Sequence, residues 1–315
     1  MFGILLSART VLTFWQFFLS IDWCMWLLLL LLSMTTCACM GASSQELRGQ
    51  RRSLSFKSAG RAHSIDVYTP PDYESSQARY SALHVLHGLG QSHLSQRGYK
   101  DLLLRLEESG IQMIVVFHDG QFRSFWSDSL DREPYLEDAP RVAASTDLLN
   151  SVAHVDANFR TVPQRENRVL LGFSMGAFGA YVTSLRNTEV FAAVMPVDGG
   201  FYRDLAELTE RHAFIARDVY SDNASYFERW APFTLTEDRR DVLRNGRLDF
   251  FFINGRESFF RETTFELIKK LRDSVGVPVD SLVHFEALEC GHDLVCFVAS
   301  DTFTRALAWL HNYCT

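Results

Sequence analysis

Stretches of clustered positive charge are missing from this 315-residue sequence. Its 31 Lys and Arg stand against 38 Asp and Glu, for a net charge of −7. A nucleic-acid partner needs basic stripes to neutralise phosphates, so that class of partner is not expected. Cysteine is also scarce, with six residues and no C-x-x-C, and no spacing suggests a zinc site. Cys24, Cys37 and Cys39 sit in the first 42 residues, and Cys290, Cys296 and Cys314 near the C-terminus. Three C-terminal thiols allow at most one disulfide, leaving one thiol over. Internal repeats are absent, and no low-complexity tract occurs beyond the N-terminal segment. A metal pair at His84 and His87 is not expected, because a spacing of three on a strand end puts them on opposite faces.

What the chain has is apolar mass. Hydrophobic residues make up 47% and aromatic residues 13%, ample for a buried core and contrary to disorder. Residues 1–42 differ from the rest. Residues 11–32 are almost wholly apolar, broken by Gln16, Ser20 and Asp22, and small and polar residues follow. This reads as a secretory signal or an N-terminal membrane anchor. Cys37 and Cys39, just past the leucine tract, raise the case of a lipoprotein acceptor, and cleavage after Ala42 is the alternative. The expected location is therefore extracytoplasmic, either secreted or membrane-anchored. Residues 43–52 read as a linker and 53–315 as one domain.

Within that domain, residues 54–57 and 63–68 alternate as an opening antiparallel pair, ended by Thr69-Pro70-Pro71. Short apolar runs at 82–86, 111–117, 169–171, 190–197, 248–253 and 282–285 predict buried parallel strands. Helical patterns at 101–108, 144–157, 263–272 and 297–313 lie between or after them. Such alternation predicts an α/β fold, a mostly parallel sheet with helices on both faces. Residues 201–246 interrupt it and predict a small cap insertion. Residues 119–137 predict a long loop rich in aromatic and polar side chains, of a length that usually serves function.

One stretch organises the chemistry. Gly172-Phe173-Ser174-Met175-Gly176 follows the apolar Val169-Leu170-Leu171 and precedes the small residues Ala177, Gly179 and Ala180. This is G-x-S-x-G between a strand and a helix, which predicts Ser174 as a nucleophile on a sharp turn. Acyl transfer also needs a base, an orienting acid and donors for developing negative charge. His292, in Glu289-Cys290-Gly291-His292-Asp293 between the last strand and the last helix, is the expected base. The oxyanion donors expected are the amides of Met175 and of Leu89, the latter within His87-Gly88-Leu89-Gly90. His87 itself reads as structural. The acid is expected from Asn254-Gly255-Arg256-Glu257-Ser258 and assigned to Glu257, with Asp198 at the end of the preceding strand as the alternative. Phe122, Phe125 and Trp126 are expected to line the substrate site.

Four stretches carry a family resemblance in order: residues 80–93 (YSALHVLHGLGQSH), 119–128 (DGQFRSFWSD), 156–181 (DANFRTVPQRENRVLLGFSMGAFGAY) and 289–293 (ECGHD). They resemble the esterase family that includes esterase D (S-formylglutathione hydrolase), tributyrin esterases, feruloyl esterases and mycolyltransferases. The resemblance implies an α/β-hydrolase fold and a Ser–Asp–His esterase that needs no cofactor, with Ser174, His292, Leu89 and Met175 in the roles given above. It also implies an Asp three residues after the glycine, where this chain has Ser258 with Glu257 before it. The expected function is an exported serine carboxylesterase acting on short acyl esters, with a small-molecule ester as partner and membrane contact through the N-terminal segment. A non-catalytic binding protein of the same fold and an acyltransferase are the alternatives.

Overall fold

Runs of aliphatic residues with no polar break cannot face water on either side, so they mark strands covered above and below. In the computed structural model, which describes residues 45–130 and 142–314, they form the middle of an eight-stranded sheet. Strands β3 (Ala82–Leu86), β4 (Ile114–His118), β5 (Arg168–Phe173) and β6 (Ala193–Val197) are buried at every position. β1 (Gln50–Ser58) and β2 (Arg61–Thr69) form one edge, and β7 (Asp249–Gly255) and β8 (Leu282–Ala287) the other. The order is β1-β2-β4-β3-β5-β6-β7-β8. β1 and β2 pair antiparallel, β2 joins β4 antiparallel, and every later pairing is parallel.

Ten α-helices are described: α1 (Tyr99–Glu108), α2 (Ala144–Asn158), α3 (Met175–Arg186), α4 (Leu205–Asp218), α5 (Ala224–Glu228), α6 (Pro232–Asp238), α7 (Arg240–Arg244), α8 (Arg261–Lys269), α9 (Leu294–Ala299) and α10 (Asp301–Leu310). Successive strand residues point to opposite faces, and β7 shows the consequence. Phe250 and Phe252 join one apolar cluster with α3, whereas Phe251 and Ile253 join a second with α1, α9 and α10. The architecture is that of the α/β-hydrolase fold. Helix α3 is buried from Met175 through Leu185. Gly179 makes that possible, since a Cβ there would lie 2.3 Å from Trp126 Cβ.

Several boundaries differ from the sequence reading. β1 begins at Gln50, and the amides of Arg48 and Gly49 donate to Glu107 Oε1 at 2.8 and 2.9 Å, so the second half of the expected linker is folded. The last helical pattern is two helices, because Ser300 leaves helical geometry and its hydroxyl accepts from Phe303 N to cap α10. Residues 201–246 hold α4 to α7. They bury Leu208, Ile215, Tyr220, Phe227, Trp230 and Leu243 in the same cluster as α3, so this insertion is built into the core. The expected leader lies outside the described residues, as does part of the expected long loop at 119–137.

Candidate active site

In an open parallel sheet, a crevice forms beyond the carboxyl ends of the strands. Three such ends meet here: β5 delivers Ser174, β6 delivers Asp198, and the β8–α9 loop delivers His292.

Ser174 follows β5 directly and sits at φ 58°, ψ −118°, a conformation that side-chain-bearing residues rarely adopt. The flanking glycines are sterically required. A Cβ on Gly172 would fall 1.9 Å from the Gly176 carbonyl oxygen, and one on Gly176 would fall 2.2 Å from that of Leu86. The turn therefore closes only with hydrogen at both positions, and Ser174 N donates to Val197 O at 3.0 Å to hold it.

Ser174 Oγ lies 2.9 Å from His292 Nε2, and His292 Nδ1 lies 2.5 Å from Asp198 Oδ2. A carboxylate only accepts, so Nδ1 carries the hydrogen and Nε2 is left with a lone pair towards the serine. Asp198 is fully buried and stands at φ 51°. Burial of a carboxylate is tolerable only with donors around it, and Asp198 has three. Gly255 N donates to Oδ1 at 3.1 Å, Ser258 Oγ donates to Oδ2 at 2.7 Å, and His292 supplies the third.

The assignment of the acid to Glu257 is corrected. Glu257 is exposed on the β7–α8 loop and pairs with neither His292 nor Ser174, and the carboxylate on His292 is that of Asp198, the alternative. The reason is directional. The chain turns after Gly255, so Ser258, not Glu257, faces inward to Asp198.

The two amides expected as oxyanion donors lie at the entrance to α3 and on the loop after β3. The loop after β3 is pinned by Gly88 N to Gln96 Oε1 (2.9 Å), Gly90 N to Phe122 O (2.8 Å) and Gln91 N to Gly88 O (3.2 Å). Among these successive amides, that of Leu89 has no acceptor among the described residues. The loop packs against the serine turn, as a Cβ built on Gly88 would lie at contact distance, 3.4 Å, from Ser174 Cβ. Met175 opens α3, where first-turn amides have no intrahelical acceptor.

His87 is a structural member of this wall. Its Nδ1 donates to Gly88 O at 2.9 Å, its Nε2 accepts from Gly120 N at 3.0 Å, and burial pushes its pKa down to about 4. Of the three aromatic residues expected to line the site, only Phe122 is exposed. Trp126 is a core residue: 1% exposed, it donates Nε1 to His87 O at 3.1 Å and fills the space left by Gly120 and Gly179. Phe125, 3% exposed, packs edge-on against Phe178. Sequence reasoning missed the rings around the base. Phe173 stacks on His292 at 4.8 Å, and Phe259 and Phe260 approach it at 4.9 and 5.1 Å. Phe173 lies within the G-x-S-x-G motif and was in view there, whereas nothing local marked Phe259 or Phe260.

The base is also tethered. Cys290 and Cys296 form a disulfide across a sequence separation of 6, with His292 inside the loop it closes, and Cys314 is free. Among the described residues, no group of three or more His, Cys, Asp or Glu could hold a metal ion.

Comparison with known proteins agrees with this architecture. An esterase of Mycobacterium tuberculosis is 30% identical over 135 residues, which cover 43% of this chain and 28% of that one. An endo-1,4-beta-xylanase/feruloyl esterase of Xylanibacter ruminicola is 27% identical over 155 residues, 46% of this chain and 21% of its own. The chain thus spans less than a third of the length of these relatives. The fluorophosphonate-binding serine hydrolase F of Staphylococcus aureus superposes with a TM-score of 0.68 at 18% identity, covering 83% of this chain and 98% of that one. At that identity the likeness establishes the fold. The family model described as Putative esterase matches residues 57–232, more than half of the sequence and including the serine turn, and the chain belongs to that family.

Proposed function

We propose that this protein is an exported serine carboxylesterase that hydrolyses short acyl esters through Ser174, His292 and Asp198. The observation that carries the reading is the unbroken line of hydrogen bonds from Ser174 Oγ through His292 to the buried Asp198. His292 Nε2 takes the proton of Ser174 as its oxygen attacks the ester carbonyl. The tetrahedral oxyanion is held by the amides of Leu89 and Met175, which develop their full strength only as charge appears. The imidazolium is stabilised by Asp198 and returns its proton to the departing alcohol, leaving an acyl-enzyme. Water, activated by the same histidine, then releases the acid. Exposed Phe122 and Phe259 supply apolar surface for the ester. Asp198 in the place of the acid supports this reading over the non-catalytic alternative. Export rests on the apolar leader and agrees with a disulfide beside the site, a bond that persists in oxidising compartments.

The test is hydrolysis of p-nitrophenyl butyrate beside labelling with a fluorophosphonate probe. The unaltered protein turns over and labels, whereas Ser174→Ala does neither while keeping its melting temperature. Wild-type turnover by Ser174→Ala, free of contaminating esterase, would refute the reading.

A further inference from the structure

The loop between β7 and α8 touches both partners of the nucleophile. Gly255, at its start, donates its amide to Asp198 Oδ1, and Phe259 and Phe260, at its end, flank the imidazole of His292. Ser258 stands between them, 7% exposed, with its hydroxyl 2.7 Å from Asp198 Oδ2. That oxygen is the one His292 uses.

The direction of the hydroxyl is fixed. Phe260 N donates to Ser258 Oγ at 3.1 Å, which occupies a lone pair and leaves the single hydrogen for the carboxylate. The backbone of Ser258 is held as well, its amide donating to Gly255 O and its carbonyl accepting from Arg261 N, each at 3.2 Å. An aspartate carboxyl rotates broadly about its last bond, because that torsion has only shallow preferences. His292 is the group to be positioned and cannot fix the carboxylate that positions it. Of the other two donors on Asp198, Gly255 reaches only Oδ1, so the orientation of Oδ2 rests on Ser258.

We propose that Ser258 is a positioning residue for the reaction, its buried hydroxyl locking the Asp198 carboxylate in the orientation that holds His292 against Ser174. The proposal rests on the esterase reading above and adds a fourth side chain to it. A second account of the same hydroxyl is that it merely braces the turn that leads into α8 through Phe260 N, which would make it a stability element alone.

Steady-state hydrolysis of p-nitrophenyl butyrate by the full chain separates the two. Ser258→Ala is expected to lower kcat by about tenfold, the usual worth of one hydrogen bond to a charged group, with KM changed less than twofold. Ser258→Thr, which keeps the donor, is expected to stay within about threefold of wild type. In an Asp198→Asn background the alanine substitution should cost less than about twofold, because the two side chains act as one unit. An equal tenfold loss in both backgrounds would overturn the proposal. So would a Ser258→Ala enzyme with unchanged kcat, or parallel losses in the alanine and threonine variants that track a lowered melting temperature. If the alanine variant does not accumulate, Ser258→Cys decides with Ser258→Thr. A loss confined to the weak thiol donor supports the role, and equal losses refute it. Wild-type turnover by Ser174→Ala would instead remove the esterase reading itself, a result distinguishable from every outcome at Ser258.

Discussion

Asp198 Oδ2 meets His292 Nδ1 at 2.5 Å across 94 positions of sequence, from the end of one strand to a loop after another. The contact exists because β6 and β7 are neighbours and Asp198 turns back towards β7 at positive φ, its amide donating to Ile253 O at 2.7 Å.

The first prediction follows from this pair. Asp198→Asn is expected to lower kcat by as much as ~10⁴-fold, by removing the charge that fixes the imidazole tautomer. Glu257→Gln, on the exposed side of the same region, should leave kcat within about twofold. Kinetics of both variants on one ester check the ranking, and the reverse order would return the acid to Glu257.

A second concerns the tether on the base. The Cys290–Cys296 disulfide closes only a short loop, so its chain-entropy contribution is about 2 kcal/mol, and its larger effect should be on the order of the loop holding His292. Mild reduction, or Cys290→Ser with Cys296→Ser, is expected to lower kcat severalfold and the melting temperature by several degrees. Reoxidation should restore activity of the reduced enzyme. The free Cys314 does not interfere readily, because burial pushes its thiol up to about 11. Activity indifferent to reductant, with the thiols shown free, would count against the tether.

The third is a pH dependence of stability. His84 and His118 lie buried between β3 and β4, with His84 Nδ1 2.9 Å from His118 Nε2. Burial lowers His84 to about 3, and His118 is lowered by burial and by the neighbouring His84. Above the ordinary histidine value of 6.5, folded and unfolded chains are both neutral there. As pH falls through it, the unfolded chain gains protons that the folded one refuses. Stability should then decline by about 1.4 kcal/mol per pH unit for each such histidine, between about pH 6.5 and 4. Thermal melts across this range should show the fall, and His84→Gln, which keeps a hydrogen-bonding partner for His118, should make it shallower. A flat profile down to pH 4 would contradict the buried pair.

The fourth concerns the N-terminus. Export through the leader predicts an N-terminus at an acylated Cys37 or Cys39, a free one near Ser43, or an intact leader retained as a membrane anchor. Mass spectrometry of protein from the native host reads this directly. Full-length, soluble protein in the cytoplasm would defeat the export proposal.

What could be read in the sequence was local. The buried strands announced themselves as unbroken apolar runs, and β3 falls at residues 82–86 as the pattern predicts. Ser174 was legible because its turn needs Gly172 and Gly176 within four residues, a steric demand written in consecutive positions. His292 could be singled out by its loop between the last strand and helix. The acid could not, because the decision lies in directions rather than composition. Whether Asp198 or Glu257 reaches the imidazole depends on the positive φ at Asp198 and on the turn that aims Ser258 inward. Burial of Trp126 likewise depends on the gaps left by Gly120 and Gly179, 59 positions apart in sequence but each against a different end of the same side chain. Sequence fixes what each segment can become by itself. Which carboxylate, ring or hydroxyl meets the histidine is set by strand order and loop direction, and those exist only once the sheet has closed around its core.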